Sequence, residues 1–204
     1  MDPILLFFER KLKLLRELYG QYARSTQSAI WLDVGCGEGT LLDIGKQYFS
    51  EVAGCDVSAA MLQRCEHLNT RLQMSPRQIP FQDGSFDLVT AACVYHHVDT
   101  ADLFALTADI SRVLRPKGML CVIEHNPLNP VTRLIVRRSP IDCHAHLLTA
   151  GRVRRVARAA RMQIIATRYF LYFPERIYSA LATVEAKLSA VPLGGQYAVL
   201  CQKA

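Results

Sequence analysis

Leu32-Asp33-Val34-Gly35-Cys36-Gly37-Glu38-Gly39-Thr40 is the stretch that decides the fold. An apolar run leads into it, three glycines alternate through it, and a helical stretch opens at Thr40. Glycine at 35, 37 and 39 lets the backbone take positive φ and approach a ligand with no Cβ in the way. The helix beyond offers unpaired N–H groups and a positive dipole end, suited to a carboxylate or phosphate. Asp56 closes a second apolar run, 17 residues after Gly39. A carboxylate at that strand end is placed to accept both hydroxyls of an adenosine ribose. A dinucleotide fingerprint would need its third glycine where Thr40 stands, which counts against NAD.

Outward from this stretch, short β-rich runs alternate with helical ones. Residues 3–22 read as an amphipathic helix with Leu5, Phe8, Leu12, Leu15 and Leu18 near one face. Strands are expected at 29–34, 51–57, 70–74, 86–93, 119–124, 163–172 and 197–202. Helices are expected at 40–49, 59–68 with Ser58 as N-cap, 100–114 and 149–161, and 174–190 is polar and partly helical. Continuous apolar strands separated by helices imply a parallel sheet covered on both faces. The final strand follows a return through Gly194-Gly195 and is expected antiparallel, at the sheet edge.

At 204 residues, half of them apolar, one domain is expected, with a core large enough to need no disulfides. Seven cysteines at irregular spacing, with no CxxC, suggest a reduced intracellular chain using Cys as a small apolar residue. No apolar run approaches the length of a membrane span and no signal segment opens the chain, so a soluble cytoplasmic domain is expected. Net charge is +6, and nine arginines between 133 and 168 face one acid, Asp142. That block permits an anionic partner, but a solvated arginine-rich helix face accounts for it as well.

Three further segments join the glycine stretch: Ile79-Pro80-Phe81-Gln82-Asp83-Gly84-Ser85-Phe86-Asp87-Leu88-Val89, Tyr95-His96-His97-Val98, and Arg112-Val113-Leu114-Arg115-Pro116-Lys117-Gly118-Met119-Leu120. In this order, over residues 30–125, the four resemble class I S-adenosylmethionine-dependent methyltransferases of the type 11 kind. The resemblance implies an α/β fold with a Rossmann-like, doubly wound seven-stranded sheet, mostly parallel with an antiparallel last strand and helices on both faces. It also implies a single domain with a helix or lid at 1–22, a cofactor-binding half at 29–125 and a substrate-side half at 126–204. The cofactor would be S-adenosyl-L-methionine and its product S-adenosyl-L-homocysteine. Asp33 and the loop with Gly35, Cys36, Gly37 and Gly39 would hold the methionine part, Asp56 the ribose, and Val57 would lie against adenine. Met61, Ala92 and Cys93 complete the implied set. Ser75, with Met74 and Pro76 beside it, stands where relatives often place an acid for the adenine amino group, and Lys117 replaces a usual glycine.

Each residue also has a plainer reading. Asp33 either contacts the ligand or caps the glycine loop from within. His96 and His97 either serve as base or close a strand end with one ring buried. Glu124-His125-Asn126-Pro127-Leu128-Asn129-Pro130 ends strand five where ligands collect in open α/β sheets, and it resembles a subgroup linked to sugar or natural-product chemistry. Its asparagine and prolines would also suit a rigid loop. Candidate catalytic residues are therefore His96, His97, Glu124 and His125, and candidate substrate contacts are Asn126, Arg133 and Tyr172. Cys143-His144-Ala145-His146 has metal-ligand residue types without a second pair, so no metal is expected. The aromatic run 169–173 fits sheet alternation.

No Asn-Pro-Pro-Tyr or Asp-Pro-Pro-Tyr follows strand four and no Pro-Cys pair occurs, which disfavours exocyclic-amine methylation of nucleobases and C5-cytosine chemistry, and no nucleic-acid partner is expected. A small-molecule acceptor is expected, oxygen ahead of nitrogen and carbon, in a monomer or homodimer. The alternatives are a nucleic-acid-modifying enzyme using the 133–168 arginines, and a non-catalytic methyltransferase-like partner protein.

Overall fold

A computed structural model describes residues 3–23, 25–139 and 145–204. Helix α1 (Pro3–Tyr22) precedes an alternation of strand and helix: β1 (Ile30–Val34), α2 (Thr40–Gly45), β2 (Glu51–Asp56), α3 (Ala59–Leu62), β3 (Thr70–Leu72), β4 (Phe86–Ala92), α4 (Leu103–Val113) and β5 (Leu114–His125). The second part comprises α5 (Pro130–Arg138), α6 (Ala150–Ala159), β6 (Met162–Phe170), α7 (Glu175–Leu188) and β7 (Gln196–Lys203). The seven strands form one sheet in the order β3-β2-β1-β4-β5-β7-β6.

The strands β1 to β5 pair in parallel, and β7 runs antiparallel to both β5 and β6. The last strand is thus antiparallel, as the resemblance implied, but it does not lie at the edge. It inserts between β5 and β6, where its six residues from Gln196 to Cys201 are all buried, and leaves β6 outermost. Filling that slot pairs its backbone on both sides and buries both faces, which an edge position would not do.

Alternate residues of each strand feed two cores, as the period-2 pleat requires. Leu32, Val89, Leu120 and Val199 pack with Leu106 and Ile110 of α4 and Val153 of α6. Trp31, Leu88, Cys121 and Leu200 pack on the other face with Leu12 and Leu15 of α1 and Leu42 of α2. Each such side chain contributes about 1.5–3 kcal/mol by leaving water. Trp31 satisfies its indole N–H on Thr90 Oγ1 at 2.9 Å.

Several elements depart from their expected lengths. Helix α2 stops at Gly45, whose Cα abuts the Trp31 ring so closely that a Cβ would lie 2.4 Å from it. Helix α3 is four residues followed by a 3₁₀ turn at Gln63–Cys65, although Ser58 does cap it by accepting the Met61 N–H. Strand β5 begins before Pro116-Lys117-Gly118, because that turn is absorbed as an irregularity between the pairs Phe86–Leu114 and Leu88–Met119. The stretch after Pro130 is a helix, with Asn129 as N-cap accepting the Thr132 N–H and Pro130 in its first turn.

Arg112 explains why two of the quoted segments occur together. Its guanidinium donates to the carbonyls of Ile79 and Phe81 and to Asp83 and Asp109, which stitches the 79–83 loop to α4. Among the described residues no helix is long and apolar enough to cross a membrane.

Candidate active site

The glycine stretch turns from β1 toward α2 at the carboxyl edge of the sheet. Gly35, Gly37 and Gly39 have φ of +71°, +55° and +76°. At Gly35 the need is double, since a Cβ would lie 2.4 Å from Val94 Cγ2. The amides of Gly35 and Cys36 donate to Cys55 O at 2.7 and 3.0 Å. Asp56, at the end of β2, accepts the Gly37 N–H on Oδ2 and the Ser58 N–H on Oδ1, each at 2.8 Å. Both carboxylate oxygens are fixed by backbone, and each retains a lone pair for a hydroxyl.

A cavity of about 620 Å³ opens beside this carboxylate. Gly35, Asp56 and Val57 form one wall and Leu72, Met74 and Pro76 another, so its outer part is an apolar slot suited to a flat ring. Cys93, Val94 and His97 line it as well. A glycine cradle that a Cβ would fill, a carboxylate aimed at a ribose position and an apolar slot together fit S-adenosylmethionine.

Other expected cofactor residues shape the site without lining the cavity. Cys36 is buried, and its sulfur would lie 2.7 Å from a Cβ on Gly54. Gly37 and Gly39 set the loop, Met61 is exposed on α3, and Ala92 is half-buried at the end of β4. Ser75 turns its hydroxyl to the Arg77 N–H at 3.2 Å, and the neighbouring side chains of Met74 and Pro76 form the wall instead. Asp33 is buried beneath the loop and accepts from Thr90 Oγ1 at 2.5 Å. Burial pushes its pKa up to about 7, against the pull of the Thr90 hydrogen bond and the Lys11 charge.

The histidines divide by environment. Glu124 is fully buried at the end of β5, accepts the Val94 and Tyr95 N–H groups on Oε1 at 3.0 and 2.7 Å, and meets His96 Nδ1 with Oε2. Burial pulls the His96 pKa down, but the hydrogen bond and charge of Glu124 outweigh it and the net shift is upward. Glu124 and His96 are both buried and together build the turn after β4. The exposed His97 ring lies 4.2 Å from the His96 ring and faces the cavity.

Around Cys93, which has φ of +61°, polar groups converge. Lys11 Nζ donates to its sulfur at 3.4 Å, Gln196 Nε2 at 3.3 Å, and His125 Nε2 lies 3.8 Å away. Gln196 also reaches His125 Nδ1 at 3.4 Å, and its buried Oε1 has no hydrogen-bond partner among the described residues. Lys11 and Gln196 escaped the reading of the sequence. A lysine one turn before Leu15 in an amphipathic helix looks like surface, yet Lys11 is buried, with its ammonium 4.2 Å from the Phe7 ring centroid.

The three expected substrate contacts sit elsewhere. Asn126 is buried and holds Pro192 O and Gly194 O through its amide nitrogen at 3.0 and 2.8 Å, which makes it a loop staple. Tyr172 donates its hydroxyl to Leu188 O at 2.7 Å and tethers α7. Arg133 is exposed on α5. Cys143 and His144 lie outside the described residues. Among the described residues no group of three or more His, Cys, Asp or Glu could hold a metal.

Residues 32–122 match the family model described as a methyltransferase domain. An uncharacterized methyltransferase of Synechocystis is 32% identical over 103 residues, 48% of each chain. A demethylmenaquinone methyltransferase of Lactobacillus johnsonii is 32% identical over 116 residues, 50% of this chain and 47% of that one. The chain spans about half the length of these curated relatives. A crystal structure of a SAM-dependent methyltransferase from Archaeoglobus fulgidus superposes with a TM-score of 0.69 at 19% identity, over 99% of this chain and 100% of that one.

Proposed function

We propose that the protein, whose residues 32–122 match a methyltransferase domain, is a class I S-adenosylmethionine-dependent enzyme that methylates a hydroxyl of a small-molecule acceptor. The observation that carries this reading is His97, an exposed imidazole on the wall of the cavity that Asp56 also lines. When bound, the cofactor supplies an activated methyl group on a sulfonium and leaves as S-adenosylhomocysteine. Asp56 and the glycine loop orient it, and apolar walls exclude water from the transfer.

His97 accepts the hydroxyl proton as the new C–O bond forms and the S–C bond breaks. His96 is a positioning residue, held by Glu124 with its ring tilted against that of His97. Behind the cavity wall, Gln196 and His125 meet the sulfur of Cys93, which lines it. Sugar-related and other natural-product alcohols are the acceptors to try first.

Calorimetry with S-adenosylmethionine, S-adenosylhomocysteine and NADH as control is the first test. Micromolar binding of the first two, and methyl transfer from labelled cofactor to an alcohol, support the reading. In His97→Asn, kcat falls by roughly 10²–10⁴-fold with cofactor affinity unchanged. Absence of binding overturns the enzyme, and transfer that survives His97→Asn at full rate overturns the assigned base.

A further inference from the structure

Helix α5 presents an unusual surface for a helix in the second half of an α/β domain. It packs only through Thr132 and Val136, one turn apart, and every other described side chain from Val131 to Arg138 is exposed. Val131, Leu134 and Ile135 are 62%, 49% and 61% exposed and fall on one stripe. The stripe does not stop at the helix. Leu128 and Leu193 are more than half exposed, and Asn129 Nδ2 pins the 193 carbonyl at 2.7 Å. Thr132 Oγ1 holds Gly195 O at 3.0 Å, so helix and turn form one rigid apolar surface. Scattered exposed apolar residues are ordinary, but a contiguous patch held rigid by its own hydrogen bonds marks an interaction site.

Charge identifies what covers it. Arg133 and Arg137 run together along one side of the stripe, Arg138 continues it at the helix end, and no acid occurs between Glu124 and Asp142. We infer that α5 and the 191–193 turn dock the protein onto an anionic lipid bilayer, with Val131, Leu134, Ile135 and Leu193 entering the interface and the three arginines meeting lipid phosphates. A second copy fits poorly, since a two-fold pairing of this face would set the arginines near one another. Nucleic acid fits poorly too, because the stripe is aliphatic and α5 carries no aromatic ring for base stacking. The patch begins three residues after His125, at the same carboxyl edge as the cavity. The inference goes beyond the proposed activity and does not rest on it.

Cosedimentation with phosphatidylcholine vesicles, with and without phosphatidylglycerol, tests it. Binding is expected to the anionic vesicles and to weaken with salt. Arg137→Glu should weaken it by at least about fivefold, the share of one interfacial arginine. Ile135→Asp, on an exposed position that leaves the fold intact by circular dichroism, should abolish it. The inference falls if anionic vesicles bind no better than neutral ones, or if Ile135→Asp binds like wild type. It falls equally if sedimentation velocity shows a dimer that Ile135→Asp dissolves, or if RNA competes the protein off the vesicles through the α6 arginines.

Discussion

Asp56 Oδ2 accepts the Gly37 N–H at 2.8 Å, so the carboxylate at the end of β2 holds the glycine loop at the end of β1. One side chain thus shapes the cradle and faces the cavity. The two roles separate by substitution. Asp56→Asn keeps a carbonyl oxygen for one backbone donor but loses charge and acceptor capacity, whereas Asp56→Ala leaves both N–H groups unmatched. Hydrogen bonds to a charged group contribute about 1.5–3 kcal/mol, so S-adenosylhomocysteine affinity should fall roughly 10- to 100-fold in Asp56→Ala. Asp56→Asn should lie between it and wild type by calorimetry, with a melting temperature close to that of wild type.

Gly35 and Gly37 share positive φ but not surroundings. A Cβ on Gly37 meets nothing within 4 Å, whereas one on Gly35 meets Val94 at 2.4 Å. Gly37→Ala should therefore cost about 1–2 kcal/mol, the price of left-handed backbone alone. Gly35→Ala should cost more in urea titration and, by displacing Val94 from the cavity wall, should also weaken cofactor binding. Equal losses in the two variants would contradict the close approach.

The strand–helix alternation, the glycine turn and Asp56 were legible because each rests on local chemistry: periodicity, positive φ, and a carboxylate at a strand end. What escaped depends on contacts between distant segments. Lys11 meets Cys93 across 82 residues, and Gln196 reaches it across 103. Glu124 stands in a stretch that invites a catalytic reading, and only the fold shows its carboxylate consumed by the Val94, Tyr95 and His96 donors. The place of β7 was illegible for the same reason, since pairing partners are chosen by the whole sheet. Met74 and Pro76, rather than the intervening Ser75, form the wall because the local turn spends the Ser75 hydroxyl on Arg77.

Asp33 makes stability fall as pH rises. Burial raises its folded pKa to about 7, above the ordinary aspartate value of 3.8, so the native state holds a proton that the unfolded chain releases. The associated stability is fully present below the unfolded value and is lost as pH rises through the folded one. Between about pH 4 and pH 7 the unfolding free energy of wild type from urea titration should drop by an amount on the order of 4 kcal/mol before other groups contribute. Asp33→Asn, which keeps the acceptor for Thr90, should be flatter in that window. The same variant separates the two roles open to Asp33: unchanged S-adenosylmethionine affinity marks an internal cap, and a tenfold loss marks a ligand contact.

Glu124 carries the last prediction. Glu124→Ala strands two backbone N–H groups and the His96 ring in a fully buried site, and breaking such a pair costs about 3–5 kcal/mol. Glu124→Gln retains an acceptor for the backbone donors but loses the charge that raises the His96 pKa. The sign is again fixed by linkage. With its folded pKa above 6.5, His96 contributes stability that is complete below that value and lost as pH rises through the folded one. Wild type should therefore weaken further above pH 6.5, beyond most of the Asp33 window, and Glu124→Gln should lose that upper limb while keeping the lower. An upper limb that survives in Glu124→Gln would mean that His96 takes its proton affinity from some other group.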